Sequence, residues 1–136
     1  VAYFFGYLSG TLTEGIFLEQ AISTSLGRSS ATWGQGFLSG IACNILVTTA
    51  VYLHFASRDF IGKIVGIFLP IMGFVLGGYQ HVVANMFYNP MGIFLGGDTW
   101  ANFFKNMTSV WLGNLVGGGI ILADAYFLAY KVGPKK

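Results

Sequence analysis

Charge is what this chain has least of: Asp, Glu, Lys and Arg make up 9% of its 136 residues. Soluble globular domains carry roughly a quarter, so a water-soluble fold is not expected and a membrane protein is. The formal net charge of +2 is too small to suggest a nucleic-acid partner. A lone cysteine, Cys43, excludes an intrachain disulfide and supplies no metal-ligand spacing, and no cofactor is expected. No cleavable leader is visible. Val1 is not an initiator methionine and already lies in an apolar stretch, so the sequence is expected to be part of a longer chain.

What is present is apolar surface, 54% of residues, with 20 glycines and abundant Phe and Tyr. That mixture suits close-packed helices in lipid with aromatic rings near the headgroups. A helix needs about 20 apolar residues to cross the hydrocarbon, and four segments qualify. The first runs from about Val1 to Leu26 and carries Glu14 and Glu19. The second covers about Gly34 to Phe55. The third runs from Ile61 to about Leu95, which as one straight helix would rise about 50 Å across a core of about 30 Å. It must be interrupted, and Gly77-Gly78 is the natural place, with a non-helical crossing near 77–81. The fourth covers about Val110 to Tyr130, with Gly113 and Gly117 spaced for close backbone approach. The expectation is an all-α membrane protein, one transmembrane domain over 1–136, with the third segment broken.

Arg58 and Lys63 lie between the second and third spans, and Lys131, Lys135 and Lys136 follow the fourth, against Arg28 and Lys105 on the other side. The positive-inside bias places the 56–63 loop and the C-terminus in the cytoplasm. The loop GGDTWANFFKNMTS then faces outward. Its Asn106-Met107-Thr108 triplet has the glycosylation pattern, but it hugs the membrane and is not expected to be used. FFGYLSG (4–10) and WLGNLVG (111–117) share a glycine spacing on oppositely directed spans, the pattern of an inverted repeat whose binding site would sit at the midplane.

The polar run GGYQHVVANMFYNP (77–90) stands where hydrocarbon is expected, and ionisable groups there are costly and usually functional. A half-helix starting after Gly78 would offer unpaired N–H groups and a partial positive charge, which suit an anion. His81 and Asn85 are four residues apart and so would share a helical face. A small anion could accept a hydrogen bond, or share a proton, at His81, which points to weak monovalent acids. Asn44 is assigned equally to interhelical bonding or to a pore wall. His54 lies near a helix end, and Phe74 and Val47 are ordinary packing residues unless context makes them a gate.

From Gly62 to Gly97 the chain resembles the formate/nitrite transporter family, on Phe74, Gly78, Tyr79, Gln80, His81, Val83, Ala84, Asn85, Met86, Phe87, Pro90 and Gly92. GIACNILV (40–47) resembles that family's fourth helix, WLGNLVGGG (111–119) its sixth and FGYLSG (5–10) its third; the first two have no counterpart. The resemblance implies an aquaporin-like six-helix subunit, a pentamer, and a pore for formate, nitrite or a similar monovalent anion, with or without a proton. It implies His81 as the central pore histidine, Asn44 as its hydrogen-bonding neighbour, Phe74 and Val47 in apolar constrictions, Gly77 and Gly78 as the helix break, and Arg28 near a vestibule lysine. Members commonly have glutamate where this chain has Gln80. Two other readings compete: a neutral-solute channel, from Asn89-Pro90-Met91, and a non-transporting subunit, either structural or binding haem between His54 and His81. A hydrolase is disfavoured because no serine or cysteine nucleophile has a recognisable partner near His81.

Overall fold

The computed structural model describes residues 1–132, and these form helices joined by short turns, with no strand among them. A short π-wound helix, Ala2–Leu8, is followed by α1 (Gly15–Ser29), α2 (Trp33–Ala56), α3 (Phe60–Leu76), α4 (Val82–Phe94) and α5 (Trp100–Asn114). The last runs on through π-wound Leu115–Leu122 to form a continuous rod, Trp100–Lys131.

Two of these elements differ from the sequence expectation. The segment read as one helix from Val1 to Leu26 is broken at residues 9–14. Gly10 and Gly15 take left-handed backbone angles (φ 74 and 57), and the Ser9 and Thr13 hydroxyls donate to the Phe5 and Gly10 carbonyls at 2.7 and 2.9 Å. Local side-chain bonding of this kind competes with the helix ladder. The fourth helix begins not at Val110 but at Trp100, so most of the expected outward loop is helix. Thr99 caps it by accepting from the Asn102 N–H at 3.3 Å, satisfying a donor that a helix start would otherwise leave free.

The third segment breaks at Gly77-Gly78. The Gly78 N–H donates to the Val75 carbonyl and the Tyr79 N–H to the Phe74 carbonyl, both at 3.1 Å, around a Gly78 with φ 67. This is the paired closure of a helix C-terminus that needs glycine in the left-handed region. α2 begins with a reciprocal cap, Thr32 Oγ1 accepting from the Gln35 N–H and the Thr32 N–H donating to Gln35 Oε1 at 2.9 Å.

α2 and the rod run parallel along a seam of small residues. A Cβ on Gly40 would lie 2.7 Å from the Val110 carbonyl, and one on Gly113 would strike the Phe37 carbonyl. Such contact lets backbones touch, which stabilises helix pairs in lipid through dispersion. α3 runs back antiparallel beside α2, with Gly66 against Leu53, and buries none of its residues. α4 continues in α3's direction and pairs with α1, where Gly92 closes on Ser25.

Polarity is inverted relative to a soluble protein. Asn85 and Asn89 are 0% exposed, whereas Leu76 and Phe55 are 77% and 79% exposed. An apolar exterior around a hydrogen-bonded polar interior is what a bilayer solvent requires.

Candidate functional site

The crossing between α3 and α4 is non-helical backbone at Tyr79 to His81, and its amides need partners because lipid offers none. α2 and the rod supply them. The Gln80 N–H donates to Ser39 Oγ at 2.9 Å, and the Val82 N–H donates to Asn114 Oδ1 at 3.0 Å. Asn114 Nδ2 in turn donates to the Gly40 and Gln80 carbonyls. Asn44 Nδ2 donates to the Asn114 carbonyl at 2.7 Å.

His81 occupies the N-cap of α4, with φ −105 and ψ 126, and its Nδ1 accepts from the Val83 N–H at 3.2 Å. A nitrogen that accepts carries no proton, so this contact selects the tautomer with the proton on Nε2. The imidazole thus keeps one donor, Nε2–H, for another partner. Together with Asn44, Asn114 and Trp111 it lines a cavity of about 300 Å³. The Phe74 ring lies with its centroid 5.9 Å from that of His81. The amides expected to be free for an anion at the start of α4 are partly used: Val82 by Asn114 and Val83 by His81 itself.

His81 and Asn85 do not share a wall. Because His81 is extended rather than helical, the four-residue spacing does not align them. Asn85 instead lies in a buried polar cluster, donating to Gln80 Oε1 and Asn106 Oδ1 at 2.8 and 2.7 Å and accepting from Arg28 Nη1 at 2.7 Å. Gln80 Nε2 and Asn106 Nδ2 both donate to the Arg28 carbonyl, tying the end of α1 to the crossing. The Arg28 guanidinium lies 4.7 Å from the centre of the Tyr88 ring, a cation–π contact. Val47 lies in neither group; it lines an apolar cavity between α2 and α3 that also holds His54. His54 and His81 therefore line different cavities, an arrangement unsuited to a haem held between them. Asn89-Pro90 is inside α4 and buried, not at a half-helix start.

Asn114, Ser39 and Asn106 were not singled out as site residues from sequence. Asn114 carried a usable signal, a lone amide in the apolar, glycine-rich WLGNLVGGG; Ser39 carried none. Asn106 is 2% exposed, and its Nδ2 also donates to Gln80 Oε1, so the amide that glycosylation would modify is enclosed.

A second polar knot fixes the turn after α4. Ser25 Oγ, the Thr99 N–H and Asn102 Nδ2 donate to the Asp98 carboxylate at 3.0, 2.7 and 2.8 Å. Burial works to raise the pKa of this carboxyl, but the hydrogen bonds it accepts outweigh that and hold Asp98 below the ordinary carboxylate value.

Interrupted helices, an apolar exterior and irregular backbone sealed by neighbouring amides define an all-helical integral membrane protein of the channel and transporter class. The profile of one family, described as "Formate/nitrite transporter", matches residues 1–128, and the chain belongs to it. An uncharacterized transporter of Bacillus subtilis, YrhG, is 46% identical over 96% of this chain and 49% of its own length. The formate channel BtFdhC of Bacillus thuringiensis is 43% identical over 96% and 50%. Among solved structures, a pentameric formate channel with formate bound superposes with a TM-score of 0.82 at 31% identity, over 94% of this chain and 59% of that one. An FNT family ion channel gives 0.84 at 26% identity, over 95% and 52%. The fold is thus the aquaporin-like bundle expected from sequence, and the chain spans about half the length of the curated relatives it matches.

Proposed function

We propose that this chain is the C-terminal portion of a membrane channel subunit that conducts a small monovalent anion, formate, nitrite or a similar weak acid, past His81. The observation that carries this reading is the sealed crossing, which presents one imidazole donor beside Asn44 on a cavity wall at the interruption of a transmembrane segment. An anion leaving water for an apolar constriction loses its hydration. A hydrogen bond from Nε2–H offsets part of that loss without a fixed charge that would trap the ion. Phe74 beside the imidazole excludes water and strengthens the contact. Asn44 and Asn114 hold the wall, Gly77 and Gly78 end α3 so that His81 can stand there, and Asn85 and Arg28 brace the crossing from behind. Val47 belongs to an apolar section farther along α2.

The homopentamer is part of the same proposal, supported by the pentameric formate channel this chain resembles. So is the placement of the α2–α3 turn and the C-terminus in the cytoplasm. Arg58 follows α2 and Lys131 ends the rod, and Tyr52 stacks on Tyr126 with ring centroids 4.1 Å apart, which brings those two ends to one side. Lys135 and Lys136, on which the orientation also draws, lie outside the described residues. The test is anion flux into proteoliposomes holding the full-length protein. Wild type is expected to carry formate and His81→Phe to abolish the flux; flux unchanged by the substitution would remove His81 from the path.

A further inference from the structure

The second histidine has no role in the reading above. Asn44, Val47, Val51 and His54 are spaced i, i+3, i+7 and i+10 on α2, which places them on one helical face. From Asn44 to His54 that face extends about 15 Å along the axis. Opposite it on α3, Ile67 and Ile71 line the same apolar cavity of about 220 Å³ as Val47, Val51 and His54, and Phe74, one turn beyond Ile71, meets the His81 ring. The two histidines thus stand at the two ends of a single apolar strip between α2 and α3.

His54 is the one polar side chain in the lining of that cavity. Its Nδ1 is shielded from solvent and meets no hydrogen-bond partner among the described residues. Buried polar atoms in working proteins nearly always have a partner. Neighbouring groups do not provide one. Asp59 caps α3, accepting from the Gly62 N–H at 2.7 Å. Tyr126 and Tyr130, on the rod beside α2, pack on Tyr52. The other charged groups at this end, Arg58, Lys63, Asp124 and Lys131, show no salt bridge or hydrogen bond to His54.

We propose that His54 is a second anion-contacting group, an access subsite at the α2–α3 turn end of the path. Its imidazole donates an N–H to an oxygen of a small monovalent oxyanion before the ion enters the apolar strip toward His81. The proposal rests on the channel reading given above. A donor is needed there because the remaining lining is aliphatic or aromatic and offers a desolvating anion nothing.

Full-length protein in proteoliposomes tests it, with formate supplied separately from each side. His54→Leu is expected to lower formate flux at subsaturating concentration by about tenfold, the size of one lost hydrogen bond to a charged group, and equally from the two sides because a passive path has one permeability. His54→Gln, which keeps a donor, should restore the flux. Flux unchanged in His54→Leu, or lost in His54→Leu and not restored by His54→Gln, overturns the subsite and leaves the channel reading intact. Wild type that carries no small monovalent anion overturns both. Should His54→Leu fail to assemble, carbethoxylation of wild-type His54 by diethyl pyrocarbonate replaces it. Protection by formate supports the subsite, and a formate-insensitive rate overturns it.

Discussion

Every polar atom of Gln80 is engaged, and in both directions: Oε1 accepts from Asn85 and Asn106, while Nε2 donates to the Arg28 carbonyl. An ionised carboxylate could only accept, so at this position Gln80 serves as a structural hub. Gln80→Leu leaves one N–H of Asn85 and one of Asn106 without an acceptor, the Arg28 carbonyl keeping its bond from Asn106, and is expected to destabilise the full-length protein by about 2–4 kcal/mol, read as a lower Tm in detergent. His81 was legible from sequence because an ionisable group amid apolar residues is costly in lipid. The Asn85 pairing was misjudged because helical spacing applies only within a helix, and His81 stands one residue outside it. Asn85 is correspondingly expected to act through the crossing: Asn85→Ala should lower stability and flux together, where His81→Phe lowers flux alone.

At the scale of elements, hydropathy located the helices and the glycine pair located the break in the third, since both signals lie in local composition. The break at 9–14 was not legible, because serine and threonine hydroxyls can bond to backbone within a helix as readily as outside one. The early start of the rod was hidden for a related reason: Asn102, Asn106 and Ser109 look like loop residues until Asp98, the polar groups of α1 and α4, and Gly36 of α2 are there to receive them. The α2–rod seam yields a sharp expectation. Gly113→Val drives a side chain into the Phe37 carbonyl and should cost about 2–3 kcal/mol through overpacking, seen as loss of assembled protein on size exclusion. The turn after α4 responds to acid. Asp98 titrates below its ordinary value when folded, so its contribution is complete above about pH 4 and is lost as pH falls through the folded pKa. Asp98→Asn should remove that part of the acid sensitivity, measured as Tm against pH.

For the molecule as a whole, the inverted polarity was readable from composition, while the completeness of the path was not, since a wall can be recognised without its opposite. Orientation can be checked directly. In the full-length protein, single cysteines at Arg58→Cys and Lys131→Cys should react with an impermeant thiol reagent from one side, and Lys105→Cys from the other. Cys43, 0% exposed, should stay silent in all three. Labelling of Arg58→Cys and Lys131→Cys from opposite faces would overturn this topology, and labelling of both from the outer face would reverse it.

Stiffness is unevenly distributed among the described helices. The seam of Gly40, Gly113 and Gly117 joins α2 to the rod backbone to backbone, with few side-chain rotamers to yield. α3 buries none of its residues and lies against α2 through larger side chains, Gly66 on Leu53 and, more loosely, Gly73 on Leu46. One wall of the apolar strip therefore behaves as a fixed rail and the other as a compliant one. Any change in the width between them is taken up by α3.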